Sequence, residues 1–116
     1  MKVLDKRKFL DLPPGTIFAK GHPWAFGGLN VKMESILGSD GASIDYYYIN
    51  ICDIESVDSD DWGEQLDAAL TDGHSLKINK TEARDGMFDE EEVFLIYEPA
   101  DITVLTDFLK DAKLIA

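Results

Sequence analysis

Acidic side chains dominate the middle of this chain, and their spacing points to an interaction surface. Between positions 53 and 72 there are eight acidic residues and no basic one. They are Asp53, Glu55, Asp58, Asp60, Asp61, Glu64, Asp67 and Asp72. A field of this sign repels nucleic acid and attracts basic protein surfaces. The helix dipole and the need for solubility also favour such residues, so a purely structural explanation stays open.

The charge is unevenly spread along the sequence, which has a net charge of −12. Residues 1–34 carry six basic and three acidic residues, whereas residues 35–116 carry five basic and twenty acidic ones. The sequence predicts one acidic surface formed by two runs. The contact residues of the first run would be Asp58, Asp60, Asp61, Glu64 and Asp67. Those of the second would be Asp89, Glu90, Glu91 and Glu92, for which a solvated face is the simpler alternative.

Aromatic rings and isolated cations give a second interpretation, a pocket for a small ligand such as a nucleotide signal. The rings would come from Trp24, Phe26, Tyr46, Tyr47 and Tyr48. Arg84 would supply the cation, because rings that stack beside a positive charge suit a nucleotide-sized ligand. Alternatively, Arg84 pairs with a carboxylate that holds its loop, and Trp24 and Phe26 fold back over the end of the sheet.

Patterns that would indicate an enzyme or a metal site are missing from the sequence. His22 and His74 are far apart, and no Cys-x-x-Cys, His-Glu-x-x-His or EF-hand spacing occurs. There is no glycine-rich phosphate loop. The apolar neighbours of Cys52 favour a buried structural thiol over a reactive nucleophile. The prediction is a protein without catalytic residues, metal ions or cofactors.

The segment from Ile44 to Ile54 is predicted to organise the fold. Its β-branched and aromatic side chains point to both faces of a strand, which favours a position near the centre of a sheet. The segment from Leu29 to Ile36 alternates in polarity, so Asn30 and Lys32 are predicted to face solvent. A glycine-rich turn joins these two strands as an antiparallel pair.

Two longer helices are predicted from the spacing of apolar residues. Asp61 and Glu64 fit a capping box at the start of the first, and Gly73 ends it. Its apolar stripe is Trp62, Leu66, Ala69 and Leu70. Pro99 occupies the first turn of the last helix. The stripe of that helix is predicted to face the core and consists of Ile102, Leu105, Phe108, Leu109 and Ala112.

The remaining segments complete an α+β fold. A short helix is predicted from an Asp5 cap to Leu10, and further strands are predicted at residues 16–20, 75–79 and 93–97. The resulting order is α-β-β-β-α-β-β-α. This order predicts a mainly antiparallel sheet of about five strands, curved or barrel-like, with two to three helices.

Length and composition place the chain among small folded proteins. The 116 residues are predicted to form one domain, residues 1–116. No apolar run approaches the roughly 20 residues needed to span a bilayer, and the first residues are too polar for a signal peptide. Cys52 is the only cysteine, so no internal disulfide can form. These features predict a cytoplasmic protein.

Three segments resemble small proteins of bacterial viruses and prophages. They are residues 12–18, 28–32 and 84–98, and the likeness spans most of the chain. The resemblance assigns no role to any residue. It implies a protein directed at a bacterial host, a class that includes inhibitors of defence systems such as anti-CRISPR proteins.

These features together predict a non-enzymatic acidic protein that binds and blocks a basic, nucleic-acid-binding surface of a host protein. It is not expected to bind nucleic acid or membranes itself. The tail carries two more apolar residues, Leu114 and Ile115, and fully burying both would contribute roughly 3–6 kcal/mol. The tail is therefore predicted to dock on its own sheet or across a homodimer interface.

Overall fold

In residues 1–22 and 25–112, which a computed structural model describes, the chain forms six strands and three helices. The strands are β1 (Lys2–Asp5), β2 (Ile17–Gly21), β3 (Asn30–Leu37), β4 (Ser43–Asn50), β5 (Ala83–Arg84) and β6 (Val93–Ile96). The helices are α1 (Lys6–Leu10), α2 (Ser59–Asp72) and α3 (Pro99–Asp111). Trp24 and the predicted docking of Leu114 and Ile115 lie outside the described residues.

All six strands belong to one antiparallel sheet in the order β1-β6-β2-β3-β4-β5. The sheet is curved and does not close into a barrel. The predicted α+β class is confirmed. The sequence prediction missed β1 and β5, which are four and two residues long and lie at the two edges of the sheet.

The hydrophobic core is small and aromatic. Its buried members are Phe9, Leu10, Phe18, Tyr46, Phe94 and Ile96. The rings of Phe9 and Phe94 are stacked, with centroids 3.9 Å apart, and Phe18 is tilted against Phe9 at 4.6 Å. The short helix α1 reaches this core because Asp5 caps it as predicted, accepting a hydrogen bond from the Lys8 N–H at 2.9 Å.

The face of β3 that is buried is the opposite of the predicted one. Asn30 and Lys32 are 5% and 1% exposed, whereas Val31 and Met33 are half-buried. The Lys32 ammonium donates to the Met33 carbonyl at 3.0 Å and to the Ser35 hydroxyl at 2.8 Å. Burial lowers the pKa of Lys32. The aliphatic stem of a lysine can cover apolar surface while local acceptors satisfy its charge, so alternating polarity misassigned this strand.

The strand predicted from Ile44 to Ile54 is shorter and lies nearer the sheet edge. It ends at Asn50, and only the two-residue β5 lies beyond it. The predicted central position is therefore wrong. Cys52 follows in a turn, where it is exposed and accepts a hydrogen bond from the Leu29 N–H at 3.3 Å, so the prediction of a buried thiol is also wrong.

The strand predicted at residues 75–79 does not form. Only Ile78 pairs there, in an isolated bridge with Ile54. Two backbone hydrogen bonds flank this bridge, from Glu55 N–H to the Lys77 carbonyl and from Asn79 N–H to the Asp53 carbonyl, both 2.9 Å long. This irregular segment holds the acidic loop against the chain that follows α2.

The two longer helices lie on the outside of the molecule. Neither α2 nor α3 contains a buried residue, although Pro99 and Gly73 stand where predicted, at the start of α3 and the end of α2. Phe108 and Leu109 are 70% and 69% exposed, so the predicted core-facing stripe of α3 is wrong for its second half. The molecule measures 51 × 35 × 25 Å, and its radius of gyration of 16.3 Å exceeds the roughly 13–14 Å typical of a compact domain of this length.

Candidate functional site

The acidic helix α2 is held at its N-terminus by a set of carboxylates. Asp58, and not the predicted Asp61, is the cap and accepts a hydrogen bond from the Asp61 N–H at 2.7 Å. Asp61 in turn accepts from the Val57 N–H and the Gln65 amide, at 3.0 and 2.9 Å. Asp53 accepts from the Trp62 indole N–H at 3.0 Å. Three of the eight acidic residues therefore shape the loop and the first turn of the helix.

Three other acidic residues of α2 form a ridge that faces solvent. Asp60, Glu64 and Asp67 are exposed and follow one another at spacings of four and three, which places them on one face of the helix. Within residues 1–22 and 25–112, no acidic residue between positions 53 and 72 pairs with a lysine or arginine. We call Asp60, Glu64 and Asp67 the acidic ridge.

An apolar stripe runs along a different face of α2, with Trp62 opposite the acidic ridge and Leu70 at its edge. Trp62 and Leu70 are 41% and 88% exposed, while Leu66 and Ala69 are half-buried. A helix of this length is marginally stable in water without tertiary packing. Helix α2 thus presents both charge and apolar area on its outside.

The second acidic run is divided between solvent and interior. Glu90 and Glu91 are exposed, and Glu91 and Asp89 lie 3.5 and 3.8 Å from His22 Nε2. Glu92 is half-buried, and its Oε2 atom is buried without a hydrogen-bond partner. Burial and the nearby charge of Asp85 raise the pKa of Glu92. The prediction of a solvated face therefore fails for Glu92.

The aromatic residues predicted to form a ligand pocket are dispersed. Tyr46 is fully buried in the core, whereas Tyr47 is 40% exposed. Phe26 is 39% exposed and forms an isolated bridge with Gly21. Arg84 Nε donates to the buried Asp45 carboxylate at 2.6 Å, which is the ion pair that the sequence offered as an alternative to a ligand contact.

The two cavities that we describe are formed by other residues. The larger, of about 610 Å³, lies between α1, the start of β4 and the segment before β6, and is lined by Lys6, Arg7, Leu10, Ile44 and Phe88 among others. The smaller, of about 440 Å³, lies beside Trp62 at the start of α2. Neither contains Tyr46, Tyr47, Tyr48 or Arg84.

A buried cluster of charged side chains was not predicted from the sequence. Its centre is Asp85, whose side chain is fully buried. Lys20 Nζ lies 2.8 Å from Asp85 Oδ1, and Lys6 Nζ lies 3.8 Å from Oδ2. Burial and the charges of Asp85 and Glu92 raise the pKa of Tyr46. Burial lowers the pKa of Lys20, but its hydrogen bond to Asp85 and the charges of Asp85, Tyr48 and Glu92 together outweigh burial and leave the pKa raised.

No sequence signal identifies this cluster, because its members come from five separate segments and each looks like an ordinary surface residue. We call Lys6, Lys20, Tyr46, Asp85 and Glu92 the buried charge cluster. Of its two carboxylates, Asp85 pairs with Lys6 and Lys20, whereas Glu92 Oε2 has no hydrogen-bond partner among the described residues. In the described part of the chain, no group of three His, Cys, Asp or Glu side chains is arranged to hold a metal ion.

The helices in residues 1–22 and 25–112 include none with the length and apolar character needed to cross a membrane. Comparison of the whole chain with known proteins gives no relative from which a role could be transferred. No family model, no curated protein and no solved structure matches it.

Proposed function

We propose that this protein is a non-enzymatic interaction protein that binds a basic surface of a larger host protein through α2. The observation that carries the proposal is the acidic ridge, three exposed carboxylates on one helix face that pair with no lysine or arginine in the part of the chain that the structure describes. Carboxylates on a rigid frame can substitute for phosphates at a nucleic-acid-binding surface, and charge of opposite sign steers the encounter. Binding there would exclude nucleic acid from the same surface.

Exposed apolar area at the edge of the ridge supports the same proposal. Complementary charge raises the association rate and orients the two proteins more than it raises their affinity. Tight interfaces depend on a few aromatic or apolar anchors. Leu70 is 88% exposed and lies three residues after Asp67, so it offers such an anchor at the edge of the acidic ridge. A bacterial defence component such as a CRISPR effector has the required chemistry, a basic groove for nucleic acid. The resemblance to phage and prophage proteins is the reason to look there first.

The proposal is tested by reversing the charge of the ridge. The partner is first captured with tagged protein from bacterial lysate at moderate salt and identified, and its binding is then measured directly. We expect the triple variant Asp60→Lys, Glu64→Lys, Asp67→Lys to bind at least roughly tenfold more weakly at low salt. The loss should shrink as salt rises, because the Debye length falls from about 10 Å at 0.1 M to about 3 Å at 1 M.

The matched control reverses three exposed acidic residues elsewhere, Asp40, Asp107 and Asp111. It changes the net charge by the same amount but leaves α2 intact. Equal binding by the ridge variant and the unmodified protein, with no dependence on salt, would rule out the ridge as the contact surface. Equal losses in both triple variants would mean that net charge, and not α2, attracts the partner.

A further inference from the structure

Three buried polar atoms in the described residues have no hydrogen-bond partner, and all three belong to the buried charge cluster. They are Lys6 Nζ, the Tyr46 hydroxyl and Glu92 Oε2. Asp85 is the common neighbour, since it lies 3.8 Å from Lys6 Nζ and its charge acts on both Tyr46 and Glu92. Unpaired buried polar groups are costly and rare. Three around one carboxylate therefore suggest a site of chemistry.

The two oxygens of the Asp85 carboxylate have different surroundings. Oδ1 accepts a hydrogen bond from Lys20 at 2.8 Å. Oδ2 accepts from the Met87 N–H at 3.3 Å and faces Lys6 Nζ at 3.8 Å. The side chain of Lys6 is 8% exposed and that of Asp85 is fully buried. A primary amine and a carboxyl group, both nearly inaccessible to solvent, thus lie 3.8 Å apart.

We propose that Lys6 and Asp85 condense to form an intramolecular amide bond in the folded protein. A proton passes from the ammonium to the carboxylate, which leaves a neutral amine and a neutral carboxylic acid. The Nζ lone pair attacks Cγ of Asp85 and the Nζ–Cγ bond forms. The Cγ–Oδ2 bond then breaks, and Oδ2 leaves as water with two protons. The net change is the loss of one water molecule, and no oxidant, metal or other reactant is required.

The other members of the cluster have roles in this reaction that their positions allow. The Lys20 ammonium donates a hydrogen bond to Oδ1, on which negative charge develops when the amine attacks. The Tyr46 hydroxyl is a second donor beside the same carboxylate. Glu92 carries the proton from Nζ to the departing oxygen, as a general base and then a general acid. The proposal thereby gives a function to each of the three unpartnered atoms.

The bond would join α1 to the segment that follows the edge strand β5. Lys6 begins α1 at one edge of the sheet, and Asp85 directly follows β5 at the other edge. Small proteins with limited cores are commonly stabilised by covalent cross-links or metals. This inference does not depend on the proposed function, because the bond lies in the interior and α2 takes no part in it.

A competing reaction at the same residue also releases water. Asp85 precedes Gly86, and the Gly86 nitrogen could attack Asp85 Cγ to form a succinimide. The structure opposes this, because the Gly86 N–H donates to the Asp45 carboxylate at 3.1 and 3.2 Å. The experiment must nevertheless separate the two products.

Mass spectrometry of the purified full-length protein tests the proposal. We expect an intact mass lower than the sequence mass by one water molecule. A protease digest should contain a branched peptide that includes both Lys6 and Asp85. The Lys6→Arg variant should have its full sequence mass, whereas the matched control Lys8→Arg, at an exposed lysine of the same helix, should still lose water. A folded protein with full sequence mass would overturn the proposal, and so would a water loss that persists in Lys6→Arg and is reversed by hydroxylamine.

Two further variants keep the test decisive if Lys6→Arg does not fold. Asp85→Asn should lose ammonia instead of water, and its digest should contain the same branched peptide joining Lys6 to residue 85, which a succinimide at the new Asn-Gly step would not give. Glu92→Gln should slow bond formation by roughly a hundredfold while the circular dichroism spectrum stays unchanged. Bond formation at the normal rate in Glu92→Gln would contradict the role of Glu92 in proton transfer. An Asp85→Asn protein that retains its full mass would contradict the assignment of residue 85 as the electrophile.

Discussion

Asp45 shows how one buried carboxylate can connect two segments that are distant in the sequence. Its side chain is fully buried and accepts hydrogen bonds from Arg84 Nε at 2.6 Å and from the Gly86 N–H. Burial pushes the pKa of Asp45 up, but these bonds and a backbone bond at Tyr46 outweigh burial and leave the pKa below 3.8. The short strand β5 stays on the sheet because this carboxylate remains charged.

We expect Arg84→Ala to lower the free energy of unfolding by about 1–3 kcal/mol at pH 7, because it leaves the buried Asp45 charge without its main partner. A carboxyl group whose pKa is lower in the folded than in the unfolded state stabilises the fold at pH values above the unfolded pKa of 3.8. This stabilisation is lost as the pH falls through the folded-state pKa. The difference from the unmodified protein should therefore shrink below about pH 4. Urea unfolding between pH 3 and 7 measures it, with the exposed Lys80→Ala as control. Identical midpoints for Arg84→Ala and the unmodified protein at pH 7 would contradict this account.

At the scale of elements, the sequence predicted α1, β2, β3, β6, α2 and α3 because caps, prolines and apolar spacing are local signals. It could not predict which face of each element is buried. Lys32 is buried because Ser35 and a carbonyl satisfy it, and Leu70 is 88% exposed although the stripe residues Leu66 and Ala69 are half-buried. Both facts depend on the tertiary arrangement, as does the meeting of Lys6, Asp85 and Glu92 from distant segments.

The exposed position of Leu70 gives a direct prediction for α2. We expect Leu70→Lys to change the free energy of unfolding by no more than about 0.5 kcal/mol, since the side chain is already 88% exposed. Phe94→Ala removes a fully buried ring and should cost about 3–5 kcal/mol. Chemical denaturation of both variants measures the contrast. A cost above about 2 kcal/mol for Leu70→Lys would show that α2 packs against the protein's own core.

At the scale of the whole molecule, stability is concentrated at one place. The sheet and α1 enclose the aromatic core, whereas α2 and α3 contribute no buried residue. The extended dimensions of 51 × 35 × 25 Å follow from this arrangement. Segments with few buried contacts open more easily than the core, and such segments are suited to pack on a partner.

Native-state hydrogen exchange should separate these two regions. We expect the backbone amides of α2 and α3 to exchange well before those of β2 and β6, because these two strands contain the core residues Phe18 and Phe94. A partner bound along α2 should slow exchange in α2 and leave β2 unchanged. Uniform protection of α2 and the central strands in the free protein would contradict this division.

The pairing of β6 with both β1 and β2 has a consequence for synthesis on the ribosome. Lys2 and Phe18 are both paired with Ile96. Strands β1 and β2 therefore cannot form these pairs until β6 has been synthesised. Until β6 emerges, β1 has no partner in this sheet, and Phe9 and Phe18 lack the ring of Phe94. Such distant pairings slow folding and leave apolar surface exposed during translation. The nascent N-terminal third is the segment on which a chaperone would act, and its basic residues are then not yet balanced by the acidic chain that follows.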